Sequence, residues 1–250
     1  MSMWDVAPPS PKMAPEEIHL WRFDLDRNHD AFHDLERTLD AAELAMASRM
    51  RRPRERSRYV LGRWGLRTIL ACYLKANPAE VVFGYGPLGK PELHNGELHF
   101  NVSHSEDVIL YALSSRHGVG VDVERVVSGS EQEITRHFLP RSMRRLTALP
   151  VAQRRDAFYR GWTRMEAYAK LSGRGLESEL GDFDDFMFLV PVRAHQSCGT
   201  YRMDDWSIYD LRPRKGYVAA LAGPTNCKLK CWRWQAKSAK TPRWNAETER

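Results

Sequence analysis

The sequence contains no long hydrophobic run: none approaches the roughly 20 apolar residues that span a bilayer, so no membrane segment is predicted. Residues 1–17 are rich in proline and lack the apolar core of a signal peptide. Cysteine is scarce, with four among 250 residues. Cys227 and Cys231 lack the two-residue spacing of zinc or redox pairs, and no histidine lies close to them in sequence. These absences predict a protein of the reducing cytoplasm.

Charge, in contrast, is in excess on the basic side. The formal net charge is +6, mostly from arginine, and the pI is about 9.2. Such a chain favours an anionic partner, which can be nucleic acid, a phosphorylated small molecule or an acidic protein. The hydrophobic content of 42% and the charged content of 28% are those of an ordinary globular protein. The length accommodates one large domain or two small ones.

Hydrophobic periodicity predicts helices followed by strands, twice along the chain. After a strand that starts at Ile18, Asp40 and Glu43 resemble a capping box that opens a short helix. Pro53 precedes a longer helix over about residues 54–76. The elements predicted after it are strands at 81–85, 97–102, 108–113 and 118–124, helices at 131–138 and 153–171, and strands at 183–190, 206–211 and 216–221.

This order of elements predicts an α+β fold built from two halves of similar construction. We expect the N-terminal half at residues 18–117 and the C-terminal half at residues 118–228. Residues 1–17 are predicted to be a flexible arm, and residues 229–250 a basic tail that contributes at most one strand. No sequence repeat relates the halves, so their similarity is inferred from element order alone.

Arginine is concentrated between Arg49 and Arg67, where eight arginines accompany a single glutamate. On one helix and its entry loop, this density is typical of a phosphate-binding surface, because guanidinium groups bind phosphate oxygens bidentately. A solvated helix face explains the same composition. The cluster alone does not decide between the two interpretations.

Two segments near the middle of the chain expose polar groups. The turn over residues 86–91, Gly-Pro-Leu-Gly-Lys-Pro, places Lys90 on a loop but lacks the spacing of a P-loop, so it does not indicate a nucleotide triphosphatase. The strand over residues 99–105 ends in Ser103, His104 and Ser105. Ser103 and His104 are candidate donors to a phosphate or an oxyanion, although a histidine at a strand end is more often structural.

Asp122 and Glu124 lie two residues apart on a predicted strand, so both side chains point to the same face. Val121 and Val123 then point into the core. Paired carboxylates repel each other unless a cation lies between them. Mg2+ fits this pattern, because it is a hard ion that one to three carboxylates, waters and substrate phosphates hold. An exposed strand end is the simpler alternative.

The helix that ends near Gly173 or Gly175 carries the next candidates. Glu166 and Lys170 lie four residues apart and therefore project from one face of this helix. Taken alone, such a pair is most often a surface ion pair worth about 0.2–0.5 kcal/mol. Together with the acidic strand, it predicts three carboxylates around one metal ion, from Asp122, Glu124 and Glu166.

Taken in order, these motifs resemble the 4′-phosphopantetheinyl transferases, specifically the long, Sfp-type class. The resemblance covers about residues 49–175 and rests on four ordered motifs. They are Gly-Lys-Pro at 89–91, Asn-Val-Ser-His-Ser at 101–105, Gly-Val-Asp-Val-Glu at 120–124, and Trp-Thr-Arg-Met-Glu-Ala-Tyr-Ala-Lys at 162–170. The family has two similar α+β halves in a pseudo-twofold arrangement. It transfers the phosphopantetheine arm of coenzyme A to a serine of an apo carrier protein and releases adenosine 3′,5′-bisphosphate.

The resemblance implies a role for each carboxylate. Asp122, Glu124 and Glu166 would hold Mg2+ on the pyrophosphate of coenzyme A. Glu166 would also take the proton from the acceptor serine, and Lys170 would bind the phosphates and neutralise charge on the leaving group. This agrees with the chemistry, since attack at a pyrophosphate phosphorus needs positioning and neutralisation of negative charge more than covalent catalysis.

The resemblance also implies a coenzyme A site on the N-terminal half. Lys90 and Pro91 would lie along the adenine, Ser103 and His104 would contact phosphates, and Arg58 would reach the 3′-phosphate. The implied partner is an acidic apo carrier protein, which suits the positive chain. We expect a cytoplasmic monomer that binds neither nucleic acid nor a membrane.

Two residues depart from the family pattern. Met165 stands where the family usually has a lysine, and Met46 stands where it tends to have a basic residue. An inactive or regulatory relative is therefore one alternative. A nucleic-acid-binding module is another, because the arginine helix and the tryptophan- and lysine-containing tail form a basic footprint. That alternative leaves the three acidic residues unexplained, since without a metal they repel phosphates.

Overall fold

Two β-sheets, each covered on its outer face by a long helix, form the framework of the protein. The computed structural model describes residues 3–27, 35, 37–86, 89–94, 96–127, 140–173, 198–202 and 205–234. The helices in this part of the chain are α1 (Ala41–Arg49), α2 (Pro53–Leu74), α3 (Pro140–Ala148) and α4 (Val151–Ser172). The strands are β1 (Asp5–Val6), β2 (Glu17–Asp24), β3 (Phe83–Tyr85), β4 (Pro91–Leu93), β5 (His99–Ser105), β6 (Val108–Ser114), β7 (Gly120–Arg125), β8 (Cys198–Arg202), β9 (Trp206–Leu211), β10 (Tyr217–Pro224) and β11 (Lys228–Arg233).

The layers follow from the alternation of side chains along the strands. In β6, Ile109 and Tyr111 pack under α2, while Leu110 and Ala112 face the second sheet. Alternate residues of β7 and β10 in the second sheet pack against this face of the first sheet. The other face of the second sheet packs against α4. The order is therefore helix, sheet, sheet, helix. This confirms the predicted α+β class.

The first sheet has the strand order β1-β11-β2-β6-β5, and the second has β7-β10-β9-β8. Within each sheet, an early strand pairs with the second strand of a later hairpin, giving β2-β6-β5 and β7-β10-β9. The element order in the sequence predicts no strand pairing, so this shared connection order is a finding of the structure. The pseudo-twofold arrangement stays a prediction. The predicted helix at 131–138 and strand at 183–190 lie outside the described residues.

Both long helices begin and end within two residues of the predicted bounds. Pro53 occupies the first turn of α2, and Gly173 ends α4 with a φ of 70°, a left-handed conformation that glycine adopts readily. The predicted capping box before α1 is present, with Asp40 accepting from the Glu43 amide and Glu43 from the Asp40 amide. No helix among the described residues has the length and apolar composition needed to traverse a bilayer.

The two ends of the described chain meet in the first sheet. β11 lies between β1 and β2 and runs parallel to both. Trp4 is buried, and Trp234 packs edge-on against Phe23 and Trp64. The segment expected to be a flexible arm therefore contributes β1, and the start of the expected basic tail is a strand of the N-terminal half. Both segments are ordered because their tryptophans bury a large apolar surface, although the residues around them are mostly charged or polar.

A buried polar network supports this junction. His19 is fully buried, with Nδ1 2.7 Å from the Tyr73 hydroxyl and Nε2 3.1 Å from a Glu17 oxygen. Lys230, on β11, lies 2.6 Å from the other Glu17 oxygen. Burial raises the pKa of Glu17, but the hydrogen bonds from Lys230, the Ala14 amide and His19 outweigh it and lower that pKa to about 2.

Replacing Glu17 by glutamine is expected to lower the free energy of unfolding at pH 7 by about 1–2 kcal/mol, because solvent screening reduces the effect of the lowered pKa. A carboxylate with a lowered native pKa stabilises the fold above its unfolded pKa, and this contribution is lost as pH falls through the native value. The wild type should therefore lose more stability than the variant between about pH 5 and pH 2. Urea unfolding across this range measures both effects. Glu16→Gln, at an exposed neighbouring position, is the control; equal acid dependence in all three proteins would contradict the prediction.

Candidate active site

The two halves meet where β5, the edge strand of the first sheet, runs beside β7, the edge strand of the second. The contact is made by side chains on alternate residues of β5. Asn101 Oδ1 accepts a hydrogen bond from the Val121 amide at 2.8 Å. Ser103 Oγ accepts from the Val123 amide at 3.3 Å, and Ser105 Oγ accepts from the Arg125 amide at 3.0 Å. We call these three side chains the β5 ladder.

Asp122 is buried between this ladder and α4. Its Oδ1 accepts hydrogen bonds from Ser103 Oγ at 2.8 Å and from Lys170 Nζ at 2.7 Å. The Val123 amide also lies close enough to this carboxylate to lower its pKa, but Oδ2 is buried without a hydrogen bond of normal geometry in the described part of the chain. Burial raises the pKa of Asp122, and the Lys170 charge opposes that shift. The carboxylate therefore has one satisfied oxygen and one that still requires a partner.

Glu124 lies one step further along β7, on the same face. Its Oε2 accepts from Ser105 Oγ at 3.0 Å, and its carboxylate also accepts a hydrogen bond from the side chain of Trp162. Burial and the neighbouring charge of Asp122 raise the pKa of Glu124 to about 7. The predicted placement of both carboxylates on one face is what the structure shows.

Glu166 occupies the helix face that covers β7. Trp162 reaches Glu124 and Lys170 reaches Asp122, so Glu166, halfway between these two contacts, lies on the helix stripe above the acidic strand. Among the described residues, however, no three acidic, histidine or cysteine side chains are grouped closely enough to hold a metal ion. The placement of Asp122, Glu124 and Glu166 around one metal ion therefore stays a prediction. The ammonium of Lys170 lies beside Asp122.

The two carboxylates of β7 nevertheless fit a divalent cation. Asp122 offers a buried oxygen with no other partner, and Glu124 has a raised pKa because a second negative charge is close. A bound cation would give Asp122 Oδ2 a partner and would offset the repulsion between the two carboxylates. Carboxylate oxygens are also ligands that Mg2+ prefers. The donor chemistry of the site therefore agrees with the metal predicted from the sequence.

Lys90 is half-buried where the β3–β4 hairpin approaches the end of α4. Its Nζ donates to the backbone carbonyl of Lys170 at 2.7 Å, and burial lowers its pKa. A cation at the C-terminal end of a helix is stabilised by the unpaired carbonyls there. Lys90 and Pro91 also line a groove with Phe100 and Val119. The hairpin thus lies next to the helix that carries Glu166 and Lys170.

Arg58 and His104 are two further predicted phosphate contacts, and the charges of Lys170 and Arg58 both act on His104. Arg58 Nη2 is 2.7 Å from a Glu106 oxygen and 3.2 Å from an Asp107 oxygen. Desolvation lowers the pKa of His104, and the positive charges of Lys170 and Arg58 lower it further. His104 is exposed at the surface and lies near the positive charges of Lys170 and Arg58, which is a suitable environment for binding an anion.

The arginine-rich helix serves two purposes. Arg67 is buried, with Nε 2.7 Å from Glu43 and Nη2 2.7 Å from Asp40, and Arg63 also pairs with Glu43. These two arginines join α2 to α1 and stack on Phe83. Neither the phosphate-binding nor the solvated-face interpretation anticipates this. The remaining arginines lie nearer the N-terminal end of α2, where Arg54 and Arg58 contact the β5–β6 turn.

Three contacts in and near the site were missed by the sequence prediction. Ser105 bonds to Glu124, Trp162 bonds to the same carboxylate, and Arg164 forms a buried bidentate pair with Asp210 that ties α4 to β9. The two-residue period of β5 places Ser105 with Ser103, and the four-residue spacing places Trp162 with Glu166. These spacings show in the sequence which residues share a face, but they do not show which carboxylate each one contacts.

Met165 and Met46 differ in their surroundings. Met165 is 5% exposed and packs in the core between α4 and the second sheet. Packing therefore accounts for a hydrophobic residue there. Met46 is exposed on α1, and nothing in its surroundings explains a methionine at that place.

The similarity to known proteins agrees with this geometry. A family model for the 4′-phosphopantetheinyl transferase superfamily matches residues 118–222, which include Asp122, Glu124, Glu166 and Lys170. A full-length relative, identical at 36% of 225 aligned positions, spans 88% of this chain and 92% of its own length. The chain therefore belongs to the 4′-phosphopantetheinyl transferase superfamily, and it is a transferase.

That relative is the 4′-phosphopantetheinyl transferase HetI of Nostoc sp.. A putative 4′-phosphopantetheinyl transferase of Synechocystis sp. is 35% identical over 147 residues, which are 57% of this chain and 60% of the relative. The 4′-phosphopantetheinyl transferase of Bacillus subtilis is 31% identical over 157 residues, which are 59% of this chain and 70% of the relative.

Proposed function

We propose that this protein transfers the 4′-phosphopantetheine arm of coenzyme A to a serine of an apo carrier protein, with Mg2+, and releases adenosine 3′,5′-bisphosphate. The observation that carries the proposal is the meeting of Asp122, Glu124 and Lys170 at the junction of the two halves. Two carboxylates and an ammonium at the junction are the groups needed to bind and activate a diphosphate.

Asp122, Glu124 and Glu166 are the proposed metal ligands. The unpartnered Oδ2 of Asp122 and the raised pKa of Glu124 support the first two, and the position of Glu166 on the covering helix supports the third. When bound, Mg2+ supplies positive charge to the pyrophosphate oxygens. Lys170 supplies a second positive charge from the helix and is placed to neutralise the leaving phosphate.

The N-terminal half provides the proposed contacts to the rest of coenzyme A. Lys90 and Pro91 would lie along the adenine, and the groove that they line next to α4 supports this. His104 and Ser103 would face the phosphates, and Arg58 the 3′-phosphate. For Arg58 this requires an exchange of partner, because its guanidinium now pairs with Glu106 and Asp107.

Glu166 is the proposed general base. A carboxylate on the helix above the diphosphate can accept the proton of the acceptor serine as its oxygen attacks the phosphorus that carries the arm. The electron pair of the breaking bond passes to the departing bisphosphate, whose charge Lys170 balances. Burial beneath α4 strengthens these interactions, since charges interact more strongly away from water.

The proposed partner is an acidic carrier protein. We propose that the enzyme acts as a cytoplasmic monomer and binds neither nucleic acid nor a membrane. The nucleic-acid alternative is weakened because Arg54, Arg58, Arg63 and Arg67 are all paired with acidic side chains. A binding measurement over a range of salt concentrations distinguishes the two, since a backbone-binding surface requires a steep salt dependence.

Incubating the protein with coenzyme A, Mg2+ and a panel of apo carrier proteins is expected to add the mass of one phosphopantetheine to at least one acceptor. Intact-protein mass spectrometry measures the addition. The matched control is the same carrier with its acceptor serine replaced by alanine, which should gain no mass. Failure to modify any carrier, with coenzyme A still bound, would favour the inactive relative over the transferase.

A further inference from the structure

The β5 ladder uses every second side chain of one strand to replace a backbone hydrogen-bond ladder. Asn101, Ser103 and Ser105 accept from three successive outward amides of β7, at 2.8, 3.3 and 3.0 Å. Two sheet edges that lie side by side are thereby joined without strand pairing. The amides of β7 would otherwise be unsatisfied at an edge of the second sheet.

The two serines of the ladder each have a second contact. Ser103 Oγ donates to Asp122 Oδ1 at 2.8 Å, and Ser105 Oγ donates to Glu124 Oε2 at 3.0 Å. Each hydroxyl therefore bridges a backbone amide of β7 and a carboxylate of the same strand. The bridge fixes the side-chain torsions of both carboxylates relative to the strand that carries them.

The hydrogen-bonding capacity of Ser103 is already used in full. A hydroxyl has one hydrogen to donate and two lone pairs to accept with. Ser103 gives its hydrogen to Asp122 and accepts from the Val123 amide and, at 3.3 Å, from Lys170 Nζ. It has no hydrogen left for a phosphate while these contacts persist. A hydrogen bond from Ser103 to a phosphate would therefore require its bond to Asp122 to break.

We propose that Ser103 and Ser105 are positioning residues that orient Asp122 and Glu124 for the divalent cation. In each pair, the serine occupies one carboxylate oxygen, and for Asp122 the other oxygen is the buried one without a partner. The N-terminal half thereby sets the arrangement of metal ligands that belong to the C-terminal half. The inference rests on the proposed function, because it concerns the same carboxylates.

Ser105 provides the sharper test, because it does not contact Lys170 in the described structure and is less buried than Ser103. Threonine and valine have nearly the same shape, and threonine carries a hydroxyl where valine carries a methyl group. Ser105→Thr keeps the donor, and Ser105→Val removes it. Any difference between these two variants therefore reports on the two hydrogen bonds of the hydroxyl, to Glu124 and from the Arg125 amide, rather than on the added bulk.

The measurement is Mn2+ binding to the full-length protein loaded with coenzyme A, followed by electron paramagnetic resonance, together with the Mg2+ concentration that gives half-maximal transfer. Loss of a group that orients a metal ligand typically weakens metal binding 10–100-fold. Ser105→Val is expected to raise the Mn2+ dissociation constant and the Mg2+ half-saturation concentration about 10-fold. Ser105→Thr is expected to stay near wild type in both, and the KM for coenzyme A should change little in either.

Asn101→Ala is the control within the ladder, because the ladder bond of Asn101 is to the Val121 amide and involves no carboxylate. It should lower the melting temperature without changing the Mn2+ dissociation constant. Equal Mn2+ binding by the threonine and valine variants, with a wild type that transfers and binds normally, would overturn the positioning role alone. A wild type that neither transfers nor binds Mn2+ would refute the proposed function and the metal role of the serines with it.

Discussion

Replacing Asp122 by asparagine is expected to reduce phosphopantetheine transfer by about 10²–10³-fold or more. Asparagine has the same shape and keeps the packing beneath α4, but it removes the negative charge that pairs with Lys170 at 2.7 Å and attracts the cation. The partner charge of Lys170 is then left uncompensated at a half-buried position. Initial rates at saturating coenzyme A and carrier protein measure the effect.

The control for this variant is Asp5→Asn, which removes an exposed carboxylate on the other side of the first sheet. It should transfer at the wild-type rate. Coenzyme A binding to the Asp122 variant, measured by calorimetry without a carrier protein, separates loss of chemistry from loss of folding. Full activity in Asp122→Asn would refute the assignment of Asp122 as a metal ligand.

Gly120→Ala is expected to destabilise the protein by about 1–3 kcal/mol or more and to abolish most of its activity. A Cβ on Gly120 would lie 1.9 Å from the carbonyl oxygen of Ala167 and 2.5 Å from the amide nitrogen of Leu171. Both are backbone atoms of α4, so the helix itself has to move. That helix carries Glu166 and Lys170, and its displacement separates them from Asp122.

Gly118→Ala is the matched control, two residues earlier in the chain. A Cβ there would meet the Leu171 side chain at 3.5 Å, which is ordinary van der Waals contact. We expect near wild-type stability and transfer for this variant. Thermal unfolding and the transfer assay test the pair together. A Gly120→Ala protein as stable and active as Gly118→Ala would show that α4 does not depend on this close approach.

The regular elements could be predicted because their causes are local. The Asp40 capping box, Pro53 in the first turn of α2 and Gly173 after α4 each act on neighbouring residues, and all are found. The period of two that places Asp122 and Glu124 on one face is also local, since it follows from strand geometry alone. For these features, neighbouring residues suffice.

The contacts across the site could not be predicted in the same way. Whether Ser105 reaches Glu124 depends on the register of β5 against β7, which no local pattern determines. The burial of Arg67 depends on two acidic residues of another helix. The charge of an arginine predicts that it needs a partner, but it does not predict whether that partner is a phosphate or the protein itself.

The position of β11 has a consequence for biosynthesis. Lys228 pairs with Glu17 and Trp232 with Trp21, so a central strand of the first sheet comes from residues translated long after its neighbours. Until those residues leave the ribosome, β2 keeps an open edge, and Trp21 and Phe23 lack the indole of Trp234 against which they pack. The first sheet is thus completed only after the second has been synthesised. A nascent chain stalled before Lys228 exposes an unpaired strand edge and apolar surface, which favour aggregation.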